Sequence, residues 1–93
     1  MNNNIILQLA PNILKRMEYG INHFYLLNFN NNDIWVGNYA AYLCISKING
    51  INTLEEIIKD VHKNIQNYSY DEIYKSIICI IEELLEKGFL IKK

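Results

Sequence analysis

The stretch Ile34-Trp35-Val36-Gly37-Asn38-Tyr39-Ala40-Ala41-Tyr42-Leu43-Cys44-Ile45-Ser46-Lys47-Ile48-Asn49-Gly50 decides the fold, because the chain changes period inside it. Ile34-Trp35-Val36 is made of β-branched and aromatic residues and reads as a short strand. From Tyr39 to Ile48 apolar residues recur at helical spacing, with Gly37 or Asn38 available as N-cap. Asn49-Gly50 ends that helix, with Gly50 as the natural C′ residue.

Upstream, the pattern is that of strands and turns. Asn28 to Asp33, with Asn30-Asn31-Asn32 at its centre, is a polar turn, since Asn tolerates left-handed backbone and bonds its own main chain. His23-Phe24-Tyr25-Leu26-Leu27 reads as a strand, Gly20 and Asn22 as turn residues, and Ile13 to Glu18 as another strand. Residues 1–10 read as a loose, flexible arm closed by Pro11. Three short strands joined by turns form an antiparallel meander, which needs a helical layer on one face to be stable.

Downstream, two helices announce themselves by their starts. Thr53-Leu54-Glu55-Glu56 and Ser69-Tyr70-Asp71-Glu72 are both capping boxes, in which the hydroxyl and the carboxylate three residues later satisfy each other's orphan backbone donors. Leu54, Ile57, Ile58, Val61 and Ile65 form one apolar stripe on the helix after the first box. The helix after the second is long and stops at Gly88, and Phe89-Leu90-Ile91 is an apolar tail expected to pack back on the domain.

Composition narrows the class. Ninety-three residues, 51% hydrophobic and 20% charged, make one globular domain with no second core. Nine basic residues against ten acidic give a net charge of −1, which argues against a partner gripped through phosphates. Two cysteines cannot build a disulfide framework. Met1-Asn2-Asn3-Asn4 lacks the positive start of a signal peptide, and no apolar run reaches the roughly 20 residues of a membrane span. The reading is a cytoplasmic protein.

Catalytic constellations are absent from the pattern. Cys44 and Cys79 stand singly in apolar helical stretches, as small hydrophobes do. His62 near a helix end is accounted for by the macrodipole, and His23 lies among strand residues. Neither metal-ligand spacing nor a nucleophile with its base is visible, and Glu82, Glu83 and Glu86 read as a solvated helix face. No catalytic residue, metal ligand or cofactor is expected.

The third helix carries more apolar surface than a surface helix needs. Ile73, Tyr74, Ile77, Ile78, Ile80, Ile81, Leu84 and Leu85 cover over half its circumference. Either the helix is central, packed on two sides, or part of it is an interface. Trp35 bears on the same question. If Ile34 and Val36 face the core, Trp35 points to the outer face of the sheet, covered by the arm or open to a partner. The strand it sits on is the edge of the meander, with unpaired backbone groups, beside an apolar helix: the physical setting for β-augmentation by a peptide.

Three short strands followed by three helices, from about Pro11 to Leu90, resemble the PqqD-like family, also called RiPP recognition elements. The family's hydrophobic-x-Leu-Asn before the first helix is matched by Ile34-Trp35-Val36-Gly37, then Tyr39-Ala40-Ala41-Tyr42-Leu43. Its Gly-x-x-Thr-hydrophobic-x-Glu-Ile link is similar to Gly50-Ile51-Asn52-Thr53-Leu54-Glu55-Glu56-Ile57, and its closing motif to Leu84-Leu85-Glu86-Lys87-Gly88-Phe89-Leu90. Gly37 stands where the family usually has Asn, leaving Asn38 to supply the first helix cap.

The resemblance implies an α+β, winged-helix-like fold, a three-stranded antiparallel sheet followed by a three-helix bundle, with residues 11–93 as one peptide-recognition domain. It implies that the leader of a ribosomally synthesised precursor adds as a strand beside Ile34, Trp35 and Val36. Tyr74, Ile77, Ile78 and Ile81 would wall the groove. The domain then presents the precursor to a modifying enzyme, often a radical S-adenosylmethionine protein, as a monomer or homodimer without nucleic acid or membrane. Two rival readings are a winged-helix DNA-binding regulator and a dimeric structural or regulatory subunit.

Overall fold

A computed structural model describes residues 2–18 and 23–93, and the turn at Gly20 and Asn22 lies outside them. The architecture is α+β. Strands β2 (Ile13–Glu18), β3 (His23–Asn28) and β4 (Ile34–Gly37) form an antiparallel sheet in the order β2-β3-β4, preceded by β1 (Leu7–Leu9). Helices α1 (Tyr39–Ser46), α2 (Leu54–Asn64) and α3 (Tyr70–Glu86) follow, and β5 (Leu90–Lys92) closes the chain.

The helix starts are as the local pattern dictates. Asn38 caps α1, its Oδ1 accepting the Ala41 N–H at 3.0 Å. Both capping boxes form: the Thr53 N–H donates to Glu56 Oε1 at 2.8 Å and the Ser69 N–H to Glu72 Oε1 at 3.1 Å. At the other end of α3, Gly88 adopts φ +82°, and the Phe89 N–H reaches the Leu84 carbonyl at 2.9 Å while the Gly88 N–H reaches Leu85 at 3.2 Å. That is a Schellman stop, which only a residue tolerant of positive φ can make without strain. In the β3–β4 turn the left-handed residue is Asn32, at φ 60°.

Helix α1 ends earlier than its apolar period suggests, at Ser46 rather than Ile48. Gly50 is therefore not its C′ residue. At φ +78°, it turns the chain so that its N–H donates to the Leu7 carbonyl at 3.0 Å.

That bond belongs to the main correction to the fold. The segment expected as a loose arm is not one: its residues Leu7–Leu9 pair antiparallel with Leu90–Lys92, in the register Leu7↔Lys92 to Leu9↔Leu90. On its other side the same segment accepts from the α1–α2 loop and from the start of α2. The Leu54 N–H donates to the Ile5 carbonyl at 2.9 Å and the Glu55 N–H to Asn3 at 3.0 Å. Those two are orphan donors of the first turn of α2, so the segment also finishes the helix end. Leu7 is fully buried, and its partner strand includes buried Leu90.

One core joins these parts. The inner sheet face contributes Phe24, Leu26 and Trp35; α1 contributes Ala41, Cys44 and Ile45. Helix α2 adds Leu54, Ile57, Ile58 and Val61, and α3 adds Ile73, Ile77, Ile81 and Leu84. The third helix is thus chiefly a central core helix.

Candidate functional site

A sheet edge exposes backbone donors and acceptors, and proteins usually blunt such edges with charge or cover. Three of the edges here are treated that way. The β1 edge is bonded to the α1–α2 loop, β2 carries Lys15 and Arg16, and β5 carries Lys92. The free side of β4 has neither device: Ile34-Trp35-Val36-Gly37 contains no charge, and among the described residues only β3 pairs with it.

The phase of the ladder says which groups lie on that side. The Asn28 N–H donates to the Asp33 carbonyl at 2.9 Å, and the register continues Leu27↔Ile34, Leu26↔Trp35, Tyr25↔Val36. Bonded and non-bonded pairs alternate in an antiparallel ladder, so Trp35 and Gly37 exchange bonds with β3. The backbone groups of Ile34 and Val36 point to the free edge.

The side chains fall on the opposite faces to those expected. Ile34 and Val36 are 64% and 53% exposed on the outer face, and Trp35 is only 9% exposed on the inner one. Gly37 explains the choice. It shares the inner face with Trp35, and a Cβ on it would lie 2.5 Å from Trp35 Cζ3 and 2.7 Å from Ala41 Cβ. The indole lies over the missing side chain, wedged between β4 and α1. A larger residue at 37 would expel it. Ile34 and Val36 instead join exposed Leu14 on the outer face, where Leu14, Arg16, Tyr25, Leu27 and Ile34 line a shallow depression of about 180 Å³.

Trp35 also touches α3. The Lys87 ammonium, 3.1 Å away, and then the Trp35 indole hold the Glu83 carboxyl below the usual carboxylate range. Glu83 therefore marks the α3 flank beside β4. Further along, a cavity of about 360 Å³ opens past the end of β4, lined by the cap residue Asn38 and Ala40 of α1, Ile65 and Tyr68 of the α2–α3 connection, and Glu72, Ile73 and Ser76 of α3. Positions 72, 76, 80 and 83 recur at helical spacing, so one flank of α3 runs from this cavity past half-buried Ile80 to Glu83.

The expected groove wall is consequently split. Ile77 and Ile81 are buried in the core. The Tyr74 hydroxyl donates to Asn3 Oδ1 at 3.2 Å, on the side of the N-terminal segment, and half-buried Ile78 follows it one turn later. None of the four lines the α3 flank facing β4. Ser76, Ile80 and Glu83 do, and the sequence held no sign of it, because the choice between the two flanks of a buried stripe depends on how the helix is packed.

Other candidates find ordinary places. Cys44 is buried, and burial pushes its thiol up to about 12, so it stays protonated. His62 packs edge-on against Tyr70, with ring centroids 5.7 Å apart. Among the described residues, no three His, Cys, Asp or Glu side chains cluster as a metal site would require, and no helix is long and apolar enough to cross a membrane. Set against family models, curated proteins and solved structures, the chain matches none of them.

Proposed function

We propose that this chain is a non-catalytic peptide-recognition module of the PqqD-like kind, which takes the leader of a ribosomally synthesised precursor as a fourth strand on β4. In this reading the sheet and helices form a winged-helix-like scaffold, and the bound leader is presented to a separate modifying enzyme, of the radical S-adenosylmethionine class. The module needs no cofactor of its own. The observation that carries the proposal is the unguarded β4 edge: two residues, Ile34 and Val36, whose backbone groups pair with nothing among the described residues, on a strand whose Trp35 meets α3 at Glu83. Main-chain bonds to such an edge supply affinity, and pockets beside it supply selectivity.

The test is a titration of the protein with a labelled leader peptide of a ribosomally synthesised precursor, followed by fluorescence polarisation and Trp35 emission. Saturable binding at micromolar concentration or tighter is expected, lost when the peptide is scrambled. Val36→Pro removes an edge N–H that the fold does not use, and proline is tolerated on edge strands. Its melting curve should stay close to that of the parent while binding weakens by at least about tenfold. Binding that Val36→Pro leaves intact would place the peptide elsewhere and sink the proposal.

A further inference from the structure

Resting on the strand-addition reading, we infer that the guest segment carries a bulky apolar side chain and a basic side chain four positions apart. The apolar one enters the cavity between α1 and α3, and the basic one reaches Glu83.

The spacing follows from the two places where the chain from β4 into α1 meets α3. Trp35 meets α3 at Glu83, and Asn38, three residues later, meets it at the cavity beside Glu72 and Ser76. Helix α3 therefore runs antiparallel to β4. From Glu83 back to the middle of the cavity is nine residues of helix, or about 14 Å at 1.5 Å per residue. A strand covers that length in about four residues at 3.3–3.4 Å each. Four is even, so both guest side chains leave the same face of the strand, and the residue midway between them lies over Ile80. An odd spacing would send one of them to the outer face, beside Ile34 and Val36.

The chemistry at each end follows from what is already engaged there. In the cavity, Ala40, Ile65 and Ile73 supply the apolar lining. The nearby Glu72 carboxylate is occupied by the Ser69 N–H, so that end asks for an apolar side chain rather than a cation. Its volume of about 360 Å³ holds a leucine or phenylalanine side chain with room to spare. At the other end, Glu83 is tied, among the described residues, to Trp35 and to Lys87, the latter in a solvent-exposed i,i+4 pair. Such pairs contribute little, so a guest cation can share or displace Lys87. Glu82 and Glu86 flank it in sequence and Asp33 lies two residues before Trp35, adding negative charge at that end.

The experiment uses the full chain and short, otherwise polar extended peptides bearing Leu and Arg at a spacing of four, the same pair at three, and a spacing-four peptide with Gln for Arg. Fluorescence polarisation should rank the spacing-four peptide tightest, by about tenfold over the spacing-three peptide. Glu83→Gln should reduce the advantage of Arg over Gln to within about twofold, and Ala40→Leu, which fills the cavity, should remove the contribution of the peptide leucine. Peptides that bind, lose binding in Val36→Pro, and yet are blind to spacing and to Glu83→Gln would overturn this inference while leaving the strand-addition reading in place. Failure of every peptide and of the leader itself would overturn both.

Discussion

Two strands of this domain, β1 and β4, have the same backbone chemistry and opposite fates. β1 is bonded on both sides, to β5 on one and to the loop leading into α2 on the other. β4 is bonded on one side and, among the described residues, bare on the other. The side chains match: Leu7 of β1 is fully buried, whereas Ile34 and Val36 of β4 stand in solvent. A strand whose hydrogen bonds are all used internally contributes to stability. One whose outer bonds are left open leaves unpaired groups to water or to a partner. The first region ties the chain ends together, and the second is where a partner has something to gain.

The comparison breaks most visibly at Leu7. Truncating a fully buried leucine typically costs about 2–5 kcal/mol, and its cavity here would open beneath the paired termini. Leu7→Ala should therefore lower the melting temperature by about 10 °C or more for a domain of this size, read by circular dichroism. A change of only a degree or two would mean that the N-terminal segment lies loosely on the domain after all. Substitutions of the exposed Ile34 should leave the melt almost unmoved, so the two strands would differ in stability as they differ in bonding.

Gly37 sharpens the contrast inside β4 itself, between its bare outer row and its packed inner one. A methyl at 37 meets the Trp35 ring and the Ala41 side chain, both held by the core. Overpacking of this kind costs about 1–3 kcal/mol. Gly37→Ala should lower the melting temperature correspondingly and shift Trp35 emission to the red as the indole is pushed towards water. Unchanged emission would show that the ring has room the geometry does not suggest.

How much of this could be seen in the sequence depended on how local each feature was. The capping boxes at Thr53 and Ser69, the stop at Gly88 and the three strands of the meander are set by residues within a few positions of one another, and each lies where the pattern placed it. The pairing of Leu7 with Lys92 spans nearly the whole chain, and nothing near Leu7 betrays it. The facing of Trp35 was lost for a different reason. A strand of three or four residues alternates too briefly to show its phase, and two aliphatics outvoted one aromatic. The signal that would have found it is Gly37, a residue with no side chain two places from the largest one in the protein, on the same face. The groove wall failed in a third way. Tyr74, Ile77, Ile78 and Ile81 are apolar and adjacent, but a buried stripe has two flanks, and only tertiary packing chooses the one beside β4.

The smallest expected effect tests the join between β1 and α2. The first turn of α2 receives help from two sides: the Ile5 and Asn3 carbonyls accept its Leu54 and Glu55 N–H groups, and the capping box serves the residues around Thr53. Glu56 reports on the second. Bonds from the Thr53 N–H and then the Thr53 hydroxyl hold its carboxyl below the usual carboxylate range. The folded state therefore binds this proton less readily than the unfolded chain does. Its stabilising contribution is fully present above the ordinary glutamate range and is lost as the pH falls through the lowered folded value. Glu56→Gln keeps an acceptor for the Thr53 N–H but has no proton to take up. Melts recorded from pH 6 down to pH 3 should show the parent losing slightly more stability than Glu56→Gln, with the difference confined to the acid end. If the two curves run parallel, the box adds nothing beyond neutral hydrogen bonds, and the start of α2 is held by the carbonyls of the N-terminal segment instead.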